Sequence, residues 1–141
     1  MPELDVRPSI HRDDLLRIAE MRVDECRSLI RAGHFTGAFY LAGYTLEVML
    51  KRAICMTLDL EELPRAFHTH RLEPLLVLSG LQNQMRRNPE VIDSFNRIAA
   101  AWDESIRYEP PGSRTEADCL AILMWLTDPQ RGVITWLRQR V

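Results

Sequence analysis

Glu47 and Lys51 stand one helical turn apart, in the order that favours pairing of a carboxylate with an ammonium. Buried, such a pair fixes helix packing or receives a partner group, and we read it as structural. His68 and His70 offer two imidazoles to a metal, but no cysteine or carboxylate spacing completes a site, so neither a metal nor a cofactor is expected. Glu61 and Glu62 lie in a polar stretch and read as a solvated loop rather than an acid–base couple. Trp102 and Tyr108 supply core or dimer surface, with a stacking platform for a base as the alternative. No phosphate-binding glycine loop, Ser-His-Asp arrangement or nucleotidyltransferase Gly-Ser…Asp-x-Asp pattern occurs in the chain.

The elements that must position these residues are helices. The chain has 141 residues, 46% hydrophobic and 27% charged, with a formal net charge of −2. That describes one globular domain, residues 1–141 with a helical core over about 10–140, and no basic excess that would announce nucleic acid. All the basic residues but Lys51 are arginines, a skew that suits bidentate contact with phosphates or carboxylates. Cys26, Cys55 and Cys119 are far apart in sequence and sit in apolar helical patterns, so buried, reduced thiols are expected. The first eight residues offer no apolar core for a signal peptide, and no apolar run reaches the length of a membrane span; a cytoplasmic location is the expectation.

A first helix is predicted from about residue 9 or 11 to 32, with Leu15, Ala19, Val23, Cys26 and Ile30 on one face and Gly33 closing it. A second, over about 36–56, is apolar around so much of its circumference that it should be central. It carries Phe35, Ala38, Phe39, Ala42, Leu46, Met49 and Ala53 on one stripe, and Leu41, Tyr44 and Val48 beside it. Gly43 interrupts this helix at a cost of roughly 1 kcal/mol against Ala, which close approach of another helix would explain. Residues 57–69 read as a loop, 71–79 as a short helix with Leu72, Leu75 and Leu76 inward, and Asn88-Pro89 as the start of a helix reaching about Ile106. Ser113 and Glu116 propose a capping box for the next helix, which would bury Ala117, Leu120, Leu123 and Met124. Asp128-Pro129 ends it, and a last short helix carries Val133, Ile134, Trp136 and Leu137. The exposed surplus on the second helix and the three tryptophans predicts a two-fold dimer.

The run from Arg31 to Lys51, with Leu41, Ala42, Gly43, Tyr44, Glu47, Leu50 and Lys51 in their places, resembles the central signature of the HEPN-domain family (higher eukaryotes and prokaryotes nucleotide-binding domain). Thr69-His70-Arg71-Leu72 is similar to the family's Thr-His-Asp-Leu, with Arg71 departing from Asp. Trp102 followed by Arg107-Tyr108 is similar to its Trp…Arg-Tyr helix ending. The resemblance implies an up-and-down bundle of about five to six helices, usually dimeric. It also implies binding or interaction roles for Tyr44, Glu47, Lys51, Trp102, Arg107 and Tyr108.

Members of that family act as metal-independent ribonucleases, as non-catalytic partners of small nucleotidyltransferases, or as ligand-binding modules; toxin–antitoxin and phage-defence settings recur. Catalytic members use an Arg followed four to six residues later by His. The His takes the proton of a ribose 2′-hydroxyl and the Arg binds the phosphate. Arg65…His70 and Arg27…His34 have this spacing, but a chain this rich in arginine supplies about one to two such pairs by chance. No His follows Arg107. The expectation is therefore a non-catalytic, homodimeric binding module beside a nucleotidyltransferase or other effector, with His70 as an N-cap-like residue. The alternatives are a ribonuclease using Arg65 and His70, and a nucleotide- or small-molecule-binding protein.

Overall fold

The computed structural model describes residues 10–141, which form an all-α bundle: α1 (Arg12–Arg31), α2 (Phe35–Thr57), α3 (Leu72–Leu78), α4 (Gln82–Arg86), α5 (Pro89–Ala101), α6 (Glu116–Thr127) and α7 (Val133–Arg138). Two 3₁₀ segments, Arg65–Phe67 and Glu104–Tyr108, interrupt the connections. Ser9, the alternative start of the first helix, and the stretch assessed for a signal peptide lie outside the described residues. Among the described residues no helix is long and apolar enough to cross a membrane.

α1 starts where its first-turn donors are satisfied. His11 Nδ1 accepts from Asp13 N at 3.2 Å, and Asp13 and Asp14 face the positive end of the helix dipole. Gly33, at φ +82°, reverses the chain into α2, and the two helices pack along their lengths. α2 is the axis of the fold. Fifteen of its 23 residues are buried, among them Phe39, Leu46, Met49, Leu50 and Ile54, so α1, α3, α6 and α7 must all pack on it. The loop that carries Glu61 and Glu62 is pinned to the start of α1 through Arg12 N to Glu61 O and Leu63 N to Ile10 O, both 2.8 Å. The two carboxylates stay exposed there.

Gly43 corrects one expectation in an informative way. It does admit a close neighbour, but the neighbour is the Trp102 indole and not a helix. A Cβ at Gly43 would fall inside van der Waals contact of Trp102 Cγ, Cδ1 and Cδ2. To reach this notch the chain leaves the helix at Trp102 (φ −132°, ψ 134°), so α5 stops at Ala101 instead of continuing to Ile106. The indole N–H then donates to Tyr40 O at 3.1 Å, and the ring stacks on Tyr40.

Other details also differ from the sequence reading. The capping box of α6 is Thr115 with Asp118, because Ser113 turns its hydroxyl back to Pro110 O instead. α6 is apolar all round, so its sequence does not choose a face. Cys119, Ile122 and Leu126 are inward, while Ala117, Leu120 and Met124 are exposed and Leu123 is half-buried. α4 has no periodic signal beyond one buried residue, Met85. Trp102 and Trp136 are buried within the monomer, as is most of α2, so the exposed large apolar side chains among the described residues lie elsewhere than the dimer expectation put them: Met21 on α1, Leu58 after α2, Val77 and Leu78 on α3, Tyr108, and Leu120 and Met124 on α6.

All three cysteines are free and buried. Cys26 Sγ donates to Ala38 O at 3.2 Å and Cys119 Sγ to Phe35 O at 3.1 Å, which fastens the first turn of α2 from both sides. Burial pushes the Cys26 thiol up to about 12 and the Cys119 thiol up to about 11. At pH 8 the thiolate fraction of either is then at most about one in a thousand, and the thiolate is the reactive form. Native protein should leave Ellman's reagent unreduced over minutes, with three thiols released in denaturant. Stoichiometric reaction of one thiol in the native state would contradict this packing.

Candidate functional site

Four ionisable side chains from three parts of the chain meet beside α2. Glu47 is fully buried, and its carboxylate accepts from Lys51 Nζ at 3.0 Å. The same carboxylate is held by His70 Nδ1 at 3.0 and 3.1 Å, across a separation of 23 residues. His70 Nε2 faces Glu104 Oε2 at 3.4 Å. Lys51 is buried with Glu47, whereas His70 and Glu104 are each 46% exposed, so the cluster runs from the core to the surface. A neutral imidazole has one N–H and serves one carboxylate; the doubly protonated ring serves both.

The helix positions α2's share of this cluster by simple periodicity, since residues 47 and 51 are one turn apart on one face. His70 arrives because the loop after α2 folds back before α3. It is not a cap. The residue at the N-cap of α3 is Arg71, with no side-chain cap bond, and Thr69 Oγ1 accepts from Arg71 N at 3.4 Å. The expected cap role is replaced by a carboxylate clamp, which desolvates neither ring nitrogen without a partner.

His70 opens onto a cleft of about 430 Å³ walled by Arg71, Glu73, Trp102, Asp103, Glu104 and Ser105. Three carboxylates against one guanidinium make this an unfavourable place for a phosphodiester. Arg65 sits exposed on the 3₁₀ segment Arg65–Phe67 and does not line this cleft. The second spaced pair is also divided: Arg27 lines a groove between α1 and α7, and His34 lines a cleft at the start of α2. Of the two neighbouring imidazoles, His68 approaches Leu63 O at 3.4 Å while His70 turns to Glu47. Among the described residues no group of three potential ligands is placed to hold a metal.

The remaining candidates divide by burial. Trp102 is 3% exposed and committed to the Gly43 notch, so it stacks on Tyr40 and offers no face to a base. Tyr44 continues that stack at 6.2 Å from Tyr40; burial first, then the Glu47 charge, pushes its hydroxyl up. Arg107 and Tyr108 stay outside, with the guanidinium 4.9 Å over the Tyr108 ring and Tyr108 76% exposed. Arg107 lines a cleft of about 380 Å³ with His34, Thr36, Gly37 and Tyr40. Glu109 also faces this cleft, but Arg114 holds it at 2.7 and 2.9 Å, and that hydrogen-bonded pair keeps its carboxyl below the usual range.

Sequence reasoning pairs Glu47 with Lys51, places Trp102 inside a helix that in fact ends at Ala101, and misses Glu104 and Tyr40. Tyr40 carries a signal, being one turn from Tyr44. Glu104 carries none, because its approach to His70 depends on the break at Trp102.

A scan against protein-family models, a search of curated proteins and a search of solved structures each return no match.

Proposed function

We propose that this chain is a non-catalytic HEPN-like binding module, homodimeric, acting beside a nucleotidyltransferase or another effector in a setting such as toxin–antitoxin or phage defence. The observation that carries the reading against a nuclease is the state of His70. A general base for 2′-hydroxyl attack needs a free ring nitrogen and an adjacent cation for the phosphate. Here one nitrogen is bonded to Glu47 and the other faces Glu104, and the cleft wall is acidic. The family resemblance supplies the partner class, and the exposed Leu120 and Met124 on α6 support self-association.

The surface better suited to a nucleotide or RNA ligand is the one with Arg107 and Tyr108, where a guanidinium and an exposed aromatic ring adjoin the cleft at the start of α2. Light scattering at micromolar concentration should give twice the chain mass. Single-stranded RNA incubated in EDTA should stay intact, and Tyr108→Ala should weaken binding of a short oligonucleotide by about tenfold, the loss of one stacked base. Metal-independent cleavage that disappears in His70→Ala at unchanged melting temperature would replace this reading with the Arg65–His70 ribonuclease.

A further inference from the structure

The exposed large apolar side chains among the described residues form a continuous helical stripe on one element, α6. Met21, Leu58 and Tyr108 belong to different parts of the chain, and Val77 and Leu78, adjacent in sequence, leave α3 in different directions. Leu120 and Met124 are one turn apart on α6, 53% and 40% exposed. Exposed Ala117 and half-buried Ala121 complete the stripe at the i, i+3, i+4, i+7 spacing. It lies opposite Cys119, Ile122 and Leu126, which face the core. No charged residue occurs between Asp118 and Asp128, so the stripe has an apolar centre.

The four positions alternate in size in a way that a second copy of the same stripe matches. In an antiparallel pair about a two-fold axis between residues 120 and 121, position 120 meets 121 of the second copy, and 117 meets 124. Each large side chain then lies against an alanine: Leu120 on Ala121 and Met124 on Ala117. No other antiparallel register pairs all four positions among themselves. A shift of the axis by two residues toward the start of α6 sets Glu116 against Ala121, and the same shift toward its end sets Leu120 against Trp125. The charges agree with this orientation. Glu116 and Asp118 lie at the start of α6 and Asp128 at its end. In an antiparallel pair each Asp128 comes beside the start of the other α6, the positive end of the helix dipole, whereas a parallel pair sets each acid against its own copy.

We propose that α6 is the self-association face of this chain, packed antiparallel on α6 of a second copy in the register Leu120 on Ala121 and Met124 on Ala117. The inference rests on the homodimer of the proposed function and names its surface.

Sedimentation velocity and cysteine cross-linking on the full chain test it. Leu120→Glu should raise the dimer dissociation constant by about a hundredfold, roughly tenfold for each of two symmetric contacts. The side chain is exposed in the monomer, so the melting temperature of dilute protein should hold. Ala117→Leu should also weaken the dimer, about tenfold, because it crowds Met124 of the second copy even though it makes the surface more apolar. Ala117→Leu with Met124→Ala exchanges the large and small positions and should restore association. The three native thiols are buried, so an introduced cysteine reacts alone. Leu120→Cys, beside the axis, should cross-link to itself under mild oxidation, whereas Ala117→Cys should cross-link only when mixed with Met124→Cys. A dimer untouched by Leu120→Glu would overturn the α6 face and leave the homodimer standing; a monomer at every concentration would remove both. Tighter association in Ala117→Leu, or self-cross-linking of Ala117→Cys as fast as that of Leu120→Cys, would overturn the register.

Discussion

Gly43→Leu unfolds at a temperature lower by roughly 10 °C or more, and Gly43→Ala shows a smaller loss of the same origin. Intrinsic propensity argues the opposite, since replacing a mid-helix Gly by Ala gains roughly 1 kcal/mol. Packing wins because the added Cβ has no space. It meets the body of the Trp102 ring, not the end of a flexible chain. That ring is 3% exposed, stacked on Tyr40 and hydrogen-bonded through its indole N–H, so it cannot shift by a few tenths of an ångström without losing contacts. Overpacking of this kind costs about 1–3 kcal/mol, and expulsion of the ring sets a ceiling of about 3–5 kcal/mol, the usual loss for a buried Trp. For a domain of this size each kcal/mol moves the midpoint by roughly 3–5 °C. Trp102 fluorescence should shift to the red in Gly43→Leu. The decisive measurement is the double variant Gly43→Ala with Trp102→Ala, whose loss should be clearly smaller than the sum of the single losses, because the clash vanishes with the ring. Additive losses would place the strain elsewhere.

That contact also shows what the sequence could and could not disclose. The glycine in an otherwise strong helix signals a close approach, and the approach exists. Its partner lies 59 positions later, on a residue whose backbone abandons the helix to make it, and helical periodicity has no term for such a departure. The same departure moves Glu104 toward His70 and creates the 3₁₀ segment, so the approach of Glu104 had no signal in the sequence. Local signals fared better wherever the physics was local: the Asn88 cap accepting from Val91 N, the stripe of α1, and the Glu47–Lys51 turn. α6 marks the opposite limit. With no charged residue between Asp118 and Asp128, every face satisfies a burial rule, and tertiary packing alone selects Cys119, Ile122 and Leu126.

Glu47 should be the most sensitive polar position in the chain. Glu47→Ala leaves the Lys51 ammonium buried with its carboxylate gone, and removal of one partner from a buried pair costs about 3–5 kcal/mol. His70 suffers less, because at 46% exposure its ring rehydrates; His70→Ala should cost no more than about 1 kcal/mol, as exposed ion pairs do. Lys51→Met falls between, since Glu47 retains the imidazole. The double variant Glu47→Leu with Lys51→Met removes both buried charges and should recover most of the loss of Glu47→Ala, because an apolar pair of similar volume is often as stable as the ion pair it replaces. Chemical denaturation of the four variants ranks them directly. The order separates two explanations of the cluster. A pair kept for packing gives strong coupling between positions 47 and 51 and a well-folded apolar double variant. A pair kept for a ligand gives a Glu47→Ala protein within about 0.5 kcal/mol of wild type, as for an ordinary surface substitution. The full burial of Glu47 and the 3.0 Å bond from Lys51 favour the first outcome, and with it a His70 whose position on the surface is dictated from the core.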